Sequence, residues 1–113
     1  VWFEADELDN NNWVMDFGGL KELKNTLENQ FDHTTVIASD DPALAMFEQL
    51  QAEDVIDLRI SKDGVGIEKF AQWVFITTEG FLSHYGYSPR VRVTKVEVFE
   101  HEKNSAIYER KRK

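Results

Sequence analysis

The chain has 113 residues, a net charge of −8 and no cysteine. That bounds it to one domain with one core and excludes disulfides, cysteine-ligated metal and a thiol nucleophile among these residues. The charge argues against nucleic acid as a partner, because phosphate binding needs clustered Lys and Arg, and no apolar run approaches the about 18 residues of a membrane helix.

Val1 to Ala5 (VWFEA) is β-rich, and the acidic, Asn-rich turn Asp6 to Asn12 separates it from a second expected strand piece, Trp13 to Met15. Asp16 is a plausible helix N-cap. Leu20, Leu23, Leu27 and Phe31 then recur on one face and predict a helix from about Gly18 to Phe31. Ser39, followed by two acids and Pro42, opens a second helix that runs to about Ala52. Val55 to Ile60 alternates as a short strand. Gly64 and Gly66 break the chain before a third helix, Ile67 to about Phe81, striped by Ile67, Phe70, Ala71, Val74 and Phe75.

The chain ends in a hairpin. Val91 and Val93 share one parity whereas Val96 and Val98 take the other, which predicts a β-bulge near Thr94 or Lys95. A turn at His101 to Asn104 leads into Ala106-Ile107-Tyr108, and the basic tail Arg110 to Lys113 reads as a solvated strand end.

Three places invite chemistry. Asp32 and His33 adjoin at the expected exit of the first helix, where a carboxylate near an imidazole suits acid-base work near neutral pH. Taken alone, the dipeptide reads first as a helix C-terminus, its histidine favoured by the dipole and its aspartate facing solvent. Glu100 shares parity with Val96 and Val98; a carboxylate there either receives donors from a ligand, such as the paired N–H groups of a 2-amino-4-oxopyrimidine, or stands in water at a strand end. Glu68 lies in the first turn of the third helix, where the macrodipole favours an acid without functional demand. His33, His84 and His101 form no close-spaced ligand pair, and no phosphate-cradling glycine loop is present.

In combination the segments LDNNNWVMDFGGLK (Leu8 to Lys21), FDHTTV (Phe31 to Val36), GIEKFAQWVF (Gly66 to Phe75) and VEVFEHEKNSAIY (Val96 to Tyr108) resemble the 6-pyruvoyl-tetrahydropterin synthase and 6-carboxytetrahydropterin synthase family. The resemblance implies the tunnelling fold: an α+β domain spanning 1–113, with an antiparallel sheet and helices packed on one face. Subunits would close their strands into a β-barrel in a homo-oligomer, hexameric or trimer-based, with sites between subunits.

The resemblance also implies roles. Asp32 and His33 match the family's proton-relaying pair, Glu100 the glutamate that anchors the pterin ring, and Glu68 the glutamate of a Thr-x-Glu-Asn-like segment in the same pocket. Gly66 and Lys69 stand where Thr and Asn are usual in that segment.

The implied activity is a zinc-dependent lyase acting on 7,8-dihydroneopterin triphosphate in the cytoplasm. The expected product is 6-carboxy-5,6,7,8-tetrahydropterin, on the route to 7-deazaguanine and queuosine; a pyruvoyl-forming enzyme and a non-catalytic pterin- or purine-binding module are the alternatives. The family's three zinc-binding histidines and catalytic cysteine precede the strand that VWFEA resembles. None is in this chain, so the metal ligands and an N-terminal strand are expected upstream of Val1. Lys21, Lys24, Arg90 and Arg92 are the expected sources of positive charge for a triphosphate.

Overall fold

The computed structural model describes residues 1–62, 64–101 and 103–111. Along them run β1 (Trp2–Ala5), a 3-10 helix (Phe17–Leu20), α1 (Lys21–Phe31), β2 (Thr35–Ala38), α2 (Leu44–Ala52), β3 (Leu58–Ser61), α3 (Ile67–His84), β4 (Val91–His101) and β5 (Asn104–Glu109). Among the described residues no helix is long and apolar enough to cross a membrane.

The valine-rich strand β4 is central in an antiparallel sheet of order β1-β4-β5. Trp2 faces Lys95 but Phe3 faces Val93, so Thr94 is an extra residue on β4. This bulge is the one the parity switch predicts, and it lets Val91, Val93 and Val96 all turn inward and be buried. A second irregularity lies further along: Phe99 pairs with Ser105 and His101 with Asn104, which leaves Glu100 as the extra residue.

Helix α3 covers the inward face. Its buried residues Ala71, Val74, Phe75, Thr78, Phe81 and Leu82 recur at helical spacing and join Met15, Leu23 and the three valines in one core. Thr78 sits there without cost in unpaired polarity because its hydroxyl donates to the Val74 carbonyl at 2.7 Å. Where β5 ends, side chains continue the sheet. The Glu79 carboxylate accepts the Val93 N–H at 3.0 Å, Arg110 Nε donates to the Val93 carbonyl at 2.9 Å, and Arg110 and Glu79 pair with each other.

Two expected elements differ. Trp13 to Met15 forms no strand, because Asp9 Oδ1 accepts the N–H groups of Asn11 and Trp13 and closes a local turn with Asn12 at φ 65°. Asp16 then caps the 3-10 helix through the Gly18 N–H at 2.8 Å, and α1 proper starts at Lys21. The second helix starts at Leu44 rather than near Ser39, since Asp41 Oδ1 captures the Ala43 N–H and holds the preceding residues in turns. The expected turn His101 to Asn104 and the basic tail fall partly on residues 102, 112 and 113, outside the described residues.

Unforeseen was a second, parallel sheet. β2 and β3 pair from Thr35↔Leu58 to Ala38↔Ser61, with α2 as the crossover between them. Ile37 and Leu58 are its buried residues, and neither joins the main core.

Candidate functional site

The exit of α1 is built by packing below it and hydrogen bonds around it. Phe31 stands edge-on to Phe70 at 5.1 Å and to Trp73 at 5.3 Å, which pins the last turn of α1 to the first turns of α3. Asp32 then leaves helical geometry as the C-cap, its N–H donating to the Glu28 carbonyl at 2.8 Å. His33 follows at φ 55°, a left-handed conformation uncommon for a residue with a side chain.

The two side chains do turn toward each other, with His33 Nε2 at 3.7 Å from Asp32 Oδ1. That exceeds hydrogen-bond length, so the pair is an ion pair once the imidazole is protonated. His33 is 95% and Asp32 64% exposed at the side chain. In the single chain the dyad is therefore a surface feature with one face open to an incoming group. A shallow recess of about 450 Å³, lined by Leu27, Glu28, Phe31 and Asp32, adjoins it.

Glu68 and Glu100 come to the same end of the molecule. Glu68 is exposed in the first turn of α3, two residues before the Phe70 ring that packs on Phe31. Helix and strand run in opposite senses: Glu79 binds Val93, and Phe75 touches Tyr108, the partner of Val96. The far end of β4, with Glu100, thus runs toward the start of α3. Glu100 is exposed rather than buried, lifted by the second bulge. Among the described residues no hydrogen bond or ion pair links Glu68 or Glu100 to the dyad, and no three His, Cys, Asp or Glu side chains converge to hold a metal ion. The described residues therefore do not fit a zinc site.

Gly66, the N-cap of α3, has φ 120°, and a Cβ there would stand 3.4 Å from Glu68 Oε2. A threonine, the residue usual at this place in the resembled family, would be strained on this backbone.

The basic residues are mostly engaged. The Arg92 guanidinium is held above its ordinary pKa by hydrogen bonds to Asp6 and Glu4. Arg90 donates to the Glu7 carbonyl at 2.9 Å, and Lys24 lies 3.8 Å from Glu28.

A family model described as 6-pyruvoyl tetrahydropterin synthase matches residues 1–111. The chain belongs to the 6-pyruvoyl tetrahydropterin synthase family. Among solved structures, an uncharacterized protein from Wolinella succinogenes is similar, with a TM-score of 0.79 and 20% identity over 96% of this chain and 73% of that one. At that identity the likeness shows a shared fold. A search of curated proteins gave no match. Membership in the 6-pyruvoyl tetrahydropterin synthase family supports a tetrahydropterin-synthase-like function, a lyase chemistry on pterins.

The sequence reading missed what surrounds the dyad. Thr34, Asp57 and Arg59 hold the α1 exit in place, and Arg59 reaches Asn29 across 30 positions of sequence. No local pattern marks such a pair. The one available signal was Arg59 two residues after Asp57 in a short, otherwise mostly apolar strand segment.

Proposed function

We propose that the protein, with one water, converts 7,8-dihydroneopterin triphosphate to 6-carboxy-5,6,7,8-tetrahydropterin, releasing triphosphate and the two outer side-chain carbons as acetaldehyde, on the route to 7-deazaguanines such as queuosine. The observation that supports a tetrahydropterin-synthase chemistry is the family match across residues 1–111, within which Asp32 and His33 lie 3.7 Å apart at a strained helix exit; the carboxy branch rests on the resemblance of the segments. In this reading His33 takes a proton from the substrate side chain and returns it as triphosphate leaves. Asp32 stabilises the imidazolium that forms between those steps. Glu100 receives the paired N–H donors of the pterin ring on its two oxygens, and Glu68 lines the same pocket.

Both dyad and anchor are open in the single chain, and the sheet ends in two edge strands, β1 and β5, with Phe99 and Ile107 exposed on its outer face. Unpaired edges with apolar neighbours favour pairing between copies. We therefore propose a homo-oligomer whose strands close into a barrel, so that the dyad of one subunit meets the Glu100 of another.

The test incubates the protein at its natural length with zinc and dihydroneopterin triphosphate and identifies the product by mass. A carboxy product supports the reading, whereas a pyruvoyl product moves the protein to the other branch. His33→Ala is expected to lose turnover with the oligomer intact; a wild-type rate in that variant ends the assigned role. Absence of turnover, with ring binding that disappears in Glu100→Gln, would instead identify a binding module. Mixed oligomers of His33→Ala and Glu100→Gln chains should regain part of the activity if the site is shared between subunits.

A further inference from the structure

The last turn of an α-helix leaves its carbonyls without intrahelical donors, and in α1 two of them find side-chain donors just beyond the last ladder bond. The Glu28 carbonyl takes the Asp32 N–H at 2.8 Å, and the Gln30 carbonyl takes the Thr34 hydroxyl at 2.7 Å. The Asn29 carbonyl is bound from outside the helix, by Arg59 Nε of β3 at 3.0 Å. The same guanidinium extends Nη2 to Asn29 Oδ1 at 3.3 Å and is steadied from behind by Asp57, with Nη1 at 2.5 Å from Oδ1 and Nη2 at 3.3 Å from Oδ2.

These strand residues also hold the chain where it leaves the dyad. The Thr35 N–H donates to the Asp57 carbonyl at 2.7 Å, and Val36 pairs with Arg59 in the parallel ladder. Residues 57 to 59 therefore grip both flanks of Asp32 and His33, on the helix before and on β2 after. Between the two grips lies His33 in its left-handed conformation, which persists only where the surroundings over-determine it.

We propose that Arg59 is a positioning residue for the Asp32–His33 pair, clamping the end of α1 to the β2–β3 sheet so that the imidazole is held in its left-handed turn against Asp32. The inference rests on the proposed role of that pair in proton transfer. It acts through the geometry of His33 and involves no contact with substrate. Arginine suits the task because its planar fork reaches the carbonyl and side chain of Asn29 and both Asp57 oxygens at once, which a lysine ammonium cannot do.

The test compares Arg59→Ala, Arg59→Lys and Thr34→Val in the protein at its natural length. One readout is the His33 backbone and ring resonances followed by NMR, and the other is turnover of dihydroneopterin triphosphate. Arg59→Ala should shift the His33 backbone and ring resonances and lower kcat by about tenfold or more with little change in KM, the signature of a misplaced reacting group. Arg59→Lys should restore part of kcat, and Thr34→Val, which loosens the same helix end with the fork intact, should give a smaller shift in the same direction. Unchanged His33 resonances in a folded Arg59→Ala protein would overturn the clamp, as would a kcat loss without any change at His33. Should Arg59→Ala fail to fold, Arg59→Lys and Thr34→Val decide the matter by the same two readouts. If His33→Ala keeps full turnover, the proton-transfer reading fails, while the His33 resonances in the Arg59 variants still report on the clamp.

Discussion

The β1-β4-β5 sheet with α3 and the β2-α2-β3 lobe are held by different physics. The first buries a continuous core in which Leu82, Ala71 and Val93 are wholly inaccessible, and its polar groups are closed by Thr78 and the Glu79–Arg110 pair. The second has two short parallel strands and two buried apolar residues, Ile37 and Leu58, that stay outside the main core. A lone two-stranded pair is marginal in water. Here it is tied down by directed bonds: Arg59 to Asn29, the Leu58 N–H to Gln51 Oε1 at 3.0 Å, and Ser61 Oγ to the Gly64 carbonyl at 2.6 Å. Burial gives the body its stability, and hydrogen bonds give the lobe its position. Asp32 and His33 lie at the junction of the two.

The largest effect should come from the body. Leu82→Ala is expected to lower the unfolding free energy by about 2–5 kcal/mol, because it opens a cavity in a fully packed site; denaturant unfolding measures it, and a loss below about 1 kcal/mol would mean that the core is looser than its burial implies. Next is Glu79→Ala, which leaves the buried Val93 N–H without its acceptor and should cost about 1–3 kcal/mol by the same measurement. Leu58→Ala should act locally instead. Amide exchange at Val36 and Ile37 should speed up while Val93 and Val96 keep their protection, and uniform loss across both regions would erase the distinction. The smallest change is Asp16→Ala, which removes the cap on the Gly18 N–H and should cost about 1 kcal/mol in thermal or denaturant unfolding.

The same contrast governs what could be read from sequence. The two long helices and the Thr94 bulge were legible because each writes a periodic signal in apolar residues: Leu23, Leu27 and Phe31 for α1, and the parity switch between Val93 and Val96 for β4. The parallel sheet was not. Thr35 to Ala38 is four residues long, and its partner lies more than twenty residues away across a helix, so no local period records the pairing. The turn at Trp13 was misread because Asp9 organises it through side-chain acceptors, which compete with a strand without disturbing the apolar pattern.

The dyad shows the same limit. Its residues and its place at a helix exit were legible, whereas the left-handed His33 and the clamp around it depend on Arg59, which only the folded chain brings near. Glu100 kept its parity with the valines, yet the second bulge turns it outward, a matter of register with β5.

Thr94 offers a last lesson about length. Removing it would leave Val93 and Val96 two positions apart, so the alternation of inward and outward side chains along β4 would survive unbroken. What would vanish is curvature, since a bulge bends its strand and sharpens the local twist. The extra residue is thus a steering element: it sets the heading of the remaining strand, and with it the direction in which Glu100 is delivered to whatever lies beyond the end of the sheet.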